Sequence, residues 1–307
     1  MFKFGIVGDI HIDTKVSSRR DNYFETCLSK IEEVSNNCKN VIILGDVFNR
    51  PSLSFEYFSL LYSHLSYLKS KNGSKFWAII GNHDVYNELE ESINKTALGL
   101  CFNVGLINLI SVEGTNIDGY NFYSSYVNLD KCKEHLSTLH LNNNDILLLH
   151  QYFEDSFPGV TWQDIKNIGC KNIFVGHEHT PFEKFFKTLN DIKVYRCGSL
   201  LRNAATSSNL TRGIYYFVFD NLDDIKIASL ESAKSACDVF TEKAVTQENL
   251  ENKRFTKSIQ EVISKYDVNV SNHVKFSLKT ILSELNAPIE CLQYLESKYN
   301  LIGEVLN

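Results

Sequence analysis

The sequence predicts an α/β protein in which a mainly parallel sheet stacks on a mainly antiparallel or mixed sheet, with helices on the outside. Three observations support this fold class. Short apolar runs alternate with segments of helical spacing through the first half of the 307-residue chain. The second half contains more strand-like runs and fewer helices. Hydrophobic residues make up 43% of the chain, which is enough for a packed core and argues against disorder.

The first half follows a β-α-β-α-β order. Apolar runs of four or five residues predict buried strands, and apolar residues three and four apart predict the helices between them. In chain order these are a strand at 4–7, a helix at about 19–37, a strand at 41–44, a helix at about 54–71 and a strand at 76–80. Strands joined through helices pair in parallel, so we expect their C-terminal ends at one ligand-binding edge of the sheet.

The second half adds seven strand candidates, and the last two flank Asp220-Asn221, which favours an antiparallel hairpin. The candidates are 106–112, 120–126, 146–150, 172–175, 194–197, 214–219 and 225–230. From about Ser235 the chain is charged and amphipathic, with helical spacing at 247–266, 272–286 and 288–299. We therefore expect two domains, a large one at 1–234 and a small helical segment at 235–307.

The predicted helix at 54–71 carries more apolar residues than one buried face needs. One stripe and several residues beside it are apolar: Phe55, Phe58, Tyr62 and Leu65, with Tyr57, Leu60, Leu61, Tyr67 and Leu68 around them. Two interpretations are open. The helix is wedged between neighbouring elements, or part of its surface is a homodimer contact.

The cysteine spacing and the lengths of the apolar runs indicate where in the cell the protein is expected. The eight cysteines show no CxxC spacing, which indicates unpaired thiols in a reducing compartment rather than a zinc site. The strand-like run at 4–7 leaves no room for a cleaved signal peptide, and no apolar stretch approaches the ~20 residues that span a bilayer. We expect a soluble, cytoplasmic protein with no membrane partner, in the host cytoplasm if the source is viral.

The net charge of −6 argues against a nucleic-acid partner, but one segment of the chain is basic. Residues 183–212 carry six basic side chains against two acidic ones. Four of them are candidate substrate contacts: Lys184, Lys187, Arg196 and Arg202. The alternative is that this segment forms an ordinary solvated face.

Five short segments of metal-ligand type recur in order, and each follows an apolar run. They are Asp9-Ile10-His11, Gly45-Asp46, Gly81-Asn82-His83-Asp84, His150 and Gly176-His177-Glu178-His179. Residues two apart on an extended chain project to one face, so each Asp-x-His or His-x-His pair can act together. A carboxylate such as Asp46 can bridge two cations about 3.5–4 Å apart. Imidazole, carboxylate and amide ligands suit Mn²⁺, Fe or Zn²⁺ better than Mg²⁺.

Each segment alone is weak evidence for a metal site. Asp-x-His arises often by chance, and a lone buried histidine is usually a hydrogen-bonded core residue. The tetrapeptide GNHD is more specific, and all five segments in order leave little room for a purely structural interpretation. The remaining histidines, His64, His135, His140 and His273, match no ligand position, and neither do Asp13 and Asp145.

The order D-x-H, GD, GNHD, H, GHxH resembles the calcineurin-like metallophosphoesterases over about residues 1–230. The resemblance implies a four-layer α/β/β/α double sandwich with a two-metal centre. Narrower segments resemble the SbcD nucleases, the bacterial and phage counterparts of the double-strand-break-processing nuclease that partners an SMC-like ATPase. These segments are GDVFNRP at 45–51, LLLHQ at 147–151, GHEHTP at 176–181 and CGSL at 197–200. Asn49 and Cys197 depart from that pattern, and the chain is short, which is compatible with a phage-encoded protein.

Residue by residue, the resemblance implies two ligand sets. Asp9, His11, Asp46 and His179 would hold one metal ion, and Asp46, Asn82, His150 and His177 the other. His83 would face the scissile phosphate and protonate the leaving oxygen or stabilise the transition state, with Asp84 holding its imidazole. A hydroxide held by the two ions would attack in line.

Three functions are compatible with these residues. The first is a DNA nuclease with exonuclease and possible single-strand endonuclease activity, docked through its C-terminal helices to the coiled coil of an SbcC-like ATPase. The second is a phosphoesterase of small phosphodiesters or nucleotides, which would need a narrow pocket rather than a groove of duplex width. The third is a non-catalytic binding subunit, disfavoured because all seven ligand residues and His83 are present.

Overall fold

The computed structural model describes residues 1–154 and 158–249. Contacts divide the chain into two units, Met1–Thr241 and Glu242–Asn307, a few residues after the boundary predicted at 234/235. Every strand and helix below belongs to the first unit. In the second, residues 242–249 are helical. The helices predicted at 272–286 and 288–299, and most of that at 247–266, lie outside the described residues.

Two mixed six-stranded sheets form the centre of the first unit. The first sheet has the order β12-β11-β1-β2-β3-β4, and the second has the order β5-β6-β7-β8-β10-β9. The strands are β1 (Phe2–Val7), β2 (Cys38–Ile43), β3 (Lys75–Ala78), β4 (Asn108–Leu109), β5 (Thr115–Ile117), β6 (Tyr120–Ser124), β7 (Ile146–Leu149), β8 (Asn172–Val175), β9 (Phe186–Leu189), β10 (Ile192–Tyr195), β11 (Tyr215–Phe219) and β12 (Lys226–Ser229).

The helices lie on the outer faces of the two sheets or in their connections. They are α1 (Tyr23–Asn37), α2 (Phe55–Asn72), α3 (Ala97–Asn103), α4 (Leu129–Thr138), α5 (Trp162–Ile165), α6 (Ser207–Thr211) and α7 (Ala236–Val239). Two 3₁₀ helices, Asn82–Asp84 and Glu90–Lys95, follow β3.

Successive side chains of the central strands point to opposite faces of each sheet, and this produces four layers. Ile42 of β2 packs between the sheets with residues of β1 and β7, whereas its neighbours Val41 and Ile43 face α1 and α2. In the second sheet, Leu148 faces the other sheet, and Leu147 packs with residues of α4 and α5. The α/β/β/α sandwich expected from the resemblance is therefore confirmed.

Pairing within the sheets follows the sequence patterns. Strands β1 to β4 are parallel, as the β-α-β-α-β order predicts. Strands β11 and β12 pair antiparallel around Asp220-Asn221, as the turn residues predict. The second sheet is mixed, with β6, β7, β8 and β10 parallel and the edge strands β5 and β9 antiparallel.

Helix α1 begins later than the predicted 19–37. Asn22 is the N-cap, and its side chain accepts from the backbone N–H of Glu25 at 3.2 Å. The preceding residues pair with another segment instead, because Arg19 forms a β-bridge with Phe240 and the Arg20 N–H donates to Val239 at 2.9 Å. Tertiary pairing therefore overrides the helical spacing of residues 19–22.

Helix α2 is not wedged between neighbours. Leu61, Leu65 and Leu68 are its buried residues, whereas Phe55 is 84% exposed and Tyr62 45% exposed. The wedged interpretation is therefore wrong, and the apolar surplus of this helix lies on the surface.

The described cysteines are free thiols, six of them buried and Cys237 exposed, which agrees with the expectation from their spacing. Within residues 1–154 and 158–249, no helix combines the length and the apolar character that a membrane span requires.

Candidate metal centre

The predicted ligands lie just past the C-terminal ends of five strands, three in one sheet and two in the other. Asp9 and His11 follow β1, Asp46 follows β2, Asn82 follows β3, His150 follows β7, and His177 and His179 follow β8. Three of these residues have left-handed backbone, with φ of 54° at His11, 48° at Asp46 and 76° at His177. Such φ values are uncommon outside glycine and concentrate at functional sites.

Two glycines allow these turns to approach each other closely. A Cβ at Gly81 would overlap the backbone nitrogen and Oδ1 of Asp46. A Cβ at Gly45, which has φ of 82°, would overlap the imidazole of His150. Glycine is required at both positions because neighbouring strand ends converge there.

One cluster of ligand atoms joins Asp9, His11 and His179. The Nε2 atoms of His11 and His179 lie 2.8 Å apart, and Asp46 Oδ2 lies 3.5 Å from His11 Nε2. Asp9 Oδ2 is buried and has no hydrogen-bond partner among the described atoms. A buried carboxylate oxygen without a donor is costly, and a cation at this position would satisfy it.

A second cluster joins Asp46, His150 and His177, with the amide of Asn82 beside them. Asn82 Oδ1 lies 3.0 Å from both His150 Nε2 and His177 Nδ1. His150 Nε2 lies 3.3 Å from Asp46 Oδ1. The two carboxylate oxygens of Asp46 therefore face different clusters, which is the geometry that a bridging ligand needs.

The backbone fixes the tautomer of His150. Its Nδ1 lies 2.7 Å from the carbonyl oxygen of Leu44, which can only accept, so Nδ1 carries a proton and Nε2 faces the cluster. A ligand histidine oriented by a carbonyl at its other nitrogen is common in metal sites. The donor set thus fits two cations in the grouping that the resemblance implies.

Electrostatics distinguishes the ligands. Burial lowers the pKa of both His11 and His177 to about 3, so both imidazoles are neutral, the form that binds metal ions. Burial also opposes a charge on His150, but Asp46 and Asp9 outweigh it and raise the pKa of His150 to about 10. Burial raises the pKa of Asp9 as well. The centre therefore holds positive charge at His150, and a metal ion would replace that proton.

His83 lies at the rim of the clusters and is exposed. Its backbone N–H donates to Asp46 Oδ1 at 2.9 Å, and its ring packs edge-on against His11 with centroids 4.8 Å apart. Its Nδ1 lies 2.9 Å from the carbonyl oxygen of Asn49 and therefore carries a proton, which leaves Nε2 for a substrate.

The expectation that Asp84 holds the His83 imidazole is wrong. The Asp84 carboxylate is buried and accepts backbone N–H groups from Gly81 at 2.9 Å, Phe48 at 3.0 Å and Val47 at 3.3 Å. It ties the turn after β3 to the turn after β2. Burial and the nearby Asp46 raise the pKa of Asp84 to about 7. Asp84 is therefore a structural residue of the centre.

A residue that the sequence interpretation set aside supports His83 indirectly. The buried carboxylate of Asp13 accepts from Asn49 Nδ2 and Arg50 Nη2, each at 2.8 Å. It thereby holds the residue whose carbonyl bonds His83. The signal was present in the sequence, because Asp13 continues the two-residue alternation of Asp9 and His11.

A pocket of about 380 Å³ opens over the centre. Its wall includes Tyr152, whose ring packs edge-on against His177 at 4.3 Å between centroids. Residues of the segment from Asn203 to Asn209 form another wall. Tyr152 was not among the predicted site residues, although it follows His150 by two positions in the chain.

The four basic residues expected to contact substrate separate into two pairs. Lys184 is exposed, and half-buried Lys187 lies over the Phe182 ring at 4.6 Å. Arg196 and Arg202 are buried, and Arg196 stacks on Phe182 at 3.9 Å. Assigning these two arginines to a DNA-contacting surface is therefore wrong, because their guanidinium groups pack inside the protein.

Comparison with known proteins gives the family of the chain. No curated protein matches it. The family model for calcineurin-like phosphoesterase matches residues 2–193, a span that contains His83 and every ligand of both clusters. The chain therefore belongs to the calcineurin-like phosphoesterases, a family of metal-dependent hydrolases of phosphoester bonds.

Proposed function

We propose that this protein is a two-metal-dependent DNA nuclease, acting as the nuclease subunit of an SbcCD-like repair or recombination complex. The observation that carries the proposal is the divided ligand set around Asp46 with His83 at its rim. Asp9, His11, Asp46 and His179 would hold one ion, and Asp46, Asn82, His150 and His177 the other. The mixed nitrogen and oxygen donors favour Mn²⁺, with Fe, Zn²⁺ and Mg²⁺ as alternatives.

When bound, two divalent cations would polarise the phosphate and lower the pKa of the attacking water. The chain supplies the remaining chemistry. The Asn49 carbonyl holds Nδ1 of His83 and leaves Nε2 for the substrate, where it would protonate the leaving oxygen or stabilise the transition state. The hydrogen bond from the His83 backbone N–H to Asp46 fixes the position of His83 relative to the carboxylate that would bridge the two ions.

Three features support DNA as the substrate. The segments around Asp46, His150 and His179 carry the SbcD-type variants GDVFNRP, LLLHQ and GHEHTP. Tyr152 offers an aromatic ring beside the metal ligands, where a base could stack. Lys184 is exposed and available to a phosphate.

The remaining assignments of the proposal concern partners. The exposed apolar face of α2 would form a homodimer contact. The segment 235–307 would dock the coiled coil of an SbcC-like ATPase. Co-purification of the chain with a large ATPase carrying a long coiled coil would support the latter, and a complex that is unaffected by removing residues 242–307 would contradict it.

The test of the activity is Mn²⁺-dependent degradation of linear duplex DNA by the full chain. We expect His83→Ala to lose the activity and His140→Ala, which alters an exposed histidine outside both clusters, to retain it. Robust hydrolysis of small phosphodiesters without DNA cleavage would overturn the nuclease proposal.

The second candidate is a phosphoesterase of small phosphodiesters or nucleotides. The volume of about 380 Å³ favours it, because pockets of this size accommodate a nucleotide-sized ligand. The same DNA assay, repeated with a small phosphodiester, separates the two candidates.

A further inference from the structure

A second cavity, of about 290 Å³, contains none of the metal ligands. It lies between the first turns of α1, the residue Arg202 and the segment from Ser232 to Val239. Its lining includes the basic residues Arg19, Lys30 and Lys234. The nuclease proposal assigns it no role.

The cavity is surrounded by buried positive charge. Arg19 is 7% exposed, Lys30 3%, Arg202 6% and the adjacent Arg212 9%. Basic residues are rarely buried to this degree unless they are paired with anions. Four within one region therefore call for a balancing charge.

Among the residues that the structure describes, Asp21 is the carboxylate that hydrogen-bonds to one of these four cations. Asp21 accepts from Arg19 Nε at 2.8 Å and from Nη2 at 2.6 Å. Glu25 also lines the cavity but is exposed. With Lys30 protonated, the four buried cations exceed the two acids that line the cavity by two formal charges, and Arg212 also feels Asp9 and Glu178 from the side of the metal centre.

The other three buried cations bond neutral acceptors, and Arg212 donates to the Asn209 amide oxygen and to the carbonyls of Ser199 and Leu201. Lys30 Nζ donates to the Leu200 carbonyl at 3.1 Å. Arg202 donates to the carbonyls of Lys234 and Arg212 at 2.8 and 2.6 Å. Neutral donors such as Asn or Gln could satisfy those carbonyls without the cost of burying charge. The Nε of Arg202 is buried and bonds no described atom.

We propose that this cavity binds a small phosphate-class oxyanion, inorganic phosphate or the phosphate of a mononucleotide. Arginine presents planar N–H groups that match phosphate oxygens, and the positive N-terminal end of the 15-residue helix α1 adds to the field. The volume holds one tetrahedral oxyanion with several waters. Burial and the neighbouring Arg19 and Arg202 lower the pKa of Lys30 to about 7, and a bound anion would relieve this repulsion.

The cavity shares a wall element with the metal centre. Asn209, which lines the pocket over the metal ligands, accepts from Arg212 Nε at 2.7 Å. Arg202, which lines the cavity, directly precedes the segment from Asn203 to Asn209, and Arg212 bonds the other end of that segment. An anion in the cavity would therefore brace one wall of the proposed substrate pocket, although its binding does not depend on the nuclease proposal.

The test uses the full chain freed of metal ions by chelation, so that phosphate cannot bind to cations at the other centre. Calorimetric titration with inorganic phosphate at constant ionic strength in chloride should show one site per chain. We expect Lys30→Met to weaken this binding at least about tenfold, the loss of one charged hydrogen bond. Lys166→Met, at an exposed lysine that is not part of the cavity lining, is the matched control and should bind as the wild type does.

Two further variants keep the test decisive. Arg202→Met should also weaken binding, and if it fails to fold, Lys30→Met decides alone. Asp46→Asn, which alters the metal centre, should leave phosphate binding intact. Absence of phosphate binding in the wild type, wild-type affinity in Lys30→Met, or loss of binding in Asp46→Asn would each overturn the proposal. Displacement of phosphate by a single-stranded oligonucleotide would also contradict it, by assigning the cavity to strand phosphates.

Discussion

Replacing Asp84 with alanine isolates the structural role that the carboxylate plays beside His83. The substitution leaves three buried backbone N–H groups, those of Gly81, Phe48 and Val47, without their acceptor. Each unpaired buried donor costs about 1–3 kcal/mol. For the three donors together we therefore expect a loss of roughly 3–9 kcal/mol, a large share of the ~5–15 kcal/mol that stabilises a typical protein.

The assay is urea unfolding of the metal-free full chain, in which a lower midpoint with an unchanged slope reports lost stability. Asp84→Asn should lose less, because an amide oxygen at the position of Oδ2 still accepts from Gly81 and Val47 and leaves only Phe48 unpaired. His83→Ala is the matched comparison. Its side chain is exposed, so stability should change by less than about 0.5 kcal/mol, while hydrolysis falls by about 10²–10⁴.

One outcome would refute this reasoning. If Asp84→Ala unfolds at the wild-type urea concentration yet loses hydrolysis as His83→Ala does, Asp84 acts on the chemistry through the imidazole. The bonding to Gly81 and Phe48 would then not be its main role.

Three further predictions concern Asp13, Lys30 and the exposed face of α2. Asp13→Asn weakens the hydrogen bond that holds Asn49 and should therefore lower kcat about tenfold, with little change in KM or bound Mn²⁺. Steady-state hydrolysis measures this, and an unchanged kcat would contradict the positioning role of Asp13. Burial lowers the pKa of Lys30 from 10.5 to about 7, so between these values the unfolded chain binds more protons and stability rises with pH. Buried cysteines with raised pKa values act in the opposite direction in both proteins, so urea unfolding at pH 7 and 9.5 should show the wild type gaining stability relative to Lys30→Met, and an unchanged difference would contradict the role of Lys30. Tyr62→Glu on the exposed face of α2 should convert a dimer to a monomer in light scattering, and a monomeric wild type would refute the contact.

The ligand set could be predicted because its signals are local. An apolar strand followed by Asp9, Asp46 or His150 places a polar side chain at a sheet edge, whatever the details of packing. The parallel order of β1, β2 and β3 then brings those edges together. The positions of the ligand side chains relative to one another follow from these strand ends.

The predictions that were wrong concern residues whose positions depend on contacts between distant segments. Asp84 is adjacent to His83 in the chain, but its carboxylate points to backbone groups after β2. Arg196 and Arg202 were expected at the surface because basic residues usually lie there, and no local pattern shows that they pack inside. Strand β9 was missed because its sequence FKTL shows only weak alternation at an edge.

Anomalous diffraction at the manganese edge, from crystals of the full chain grown with Mn²⁺, tests most directly whether these strand ends form one two-metal centre. We expect two peaks about 3.5–4 Å apart, bridged by Asp46, with His11 and His179 on one ion and His150 and His177 on the other. A single peak, or two ions that do not share Asp46, would contradict the account.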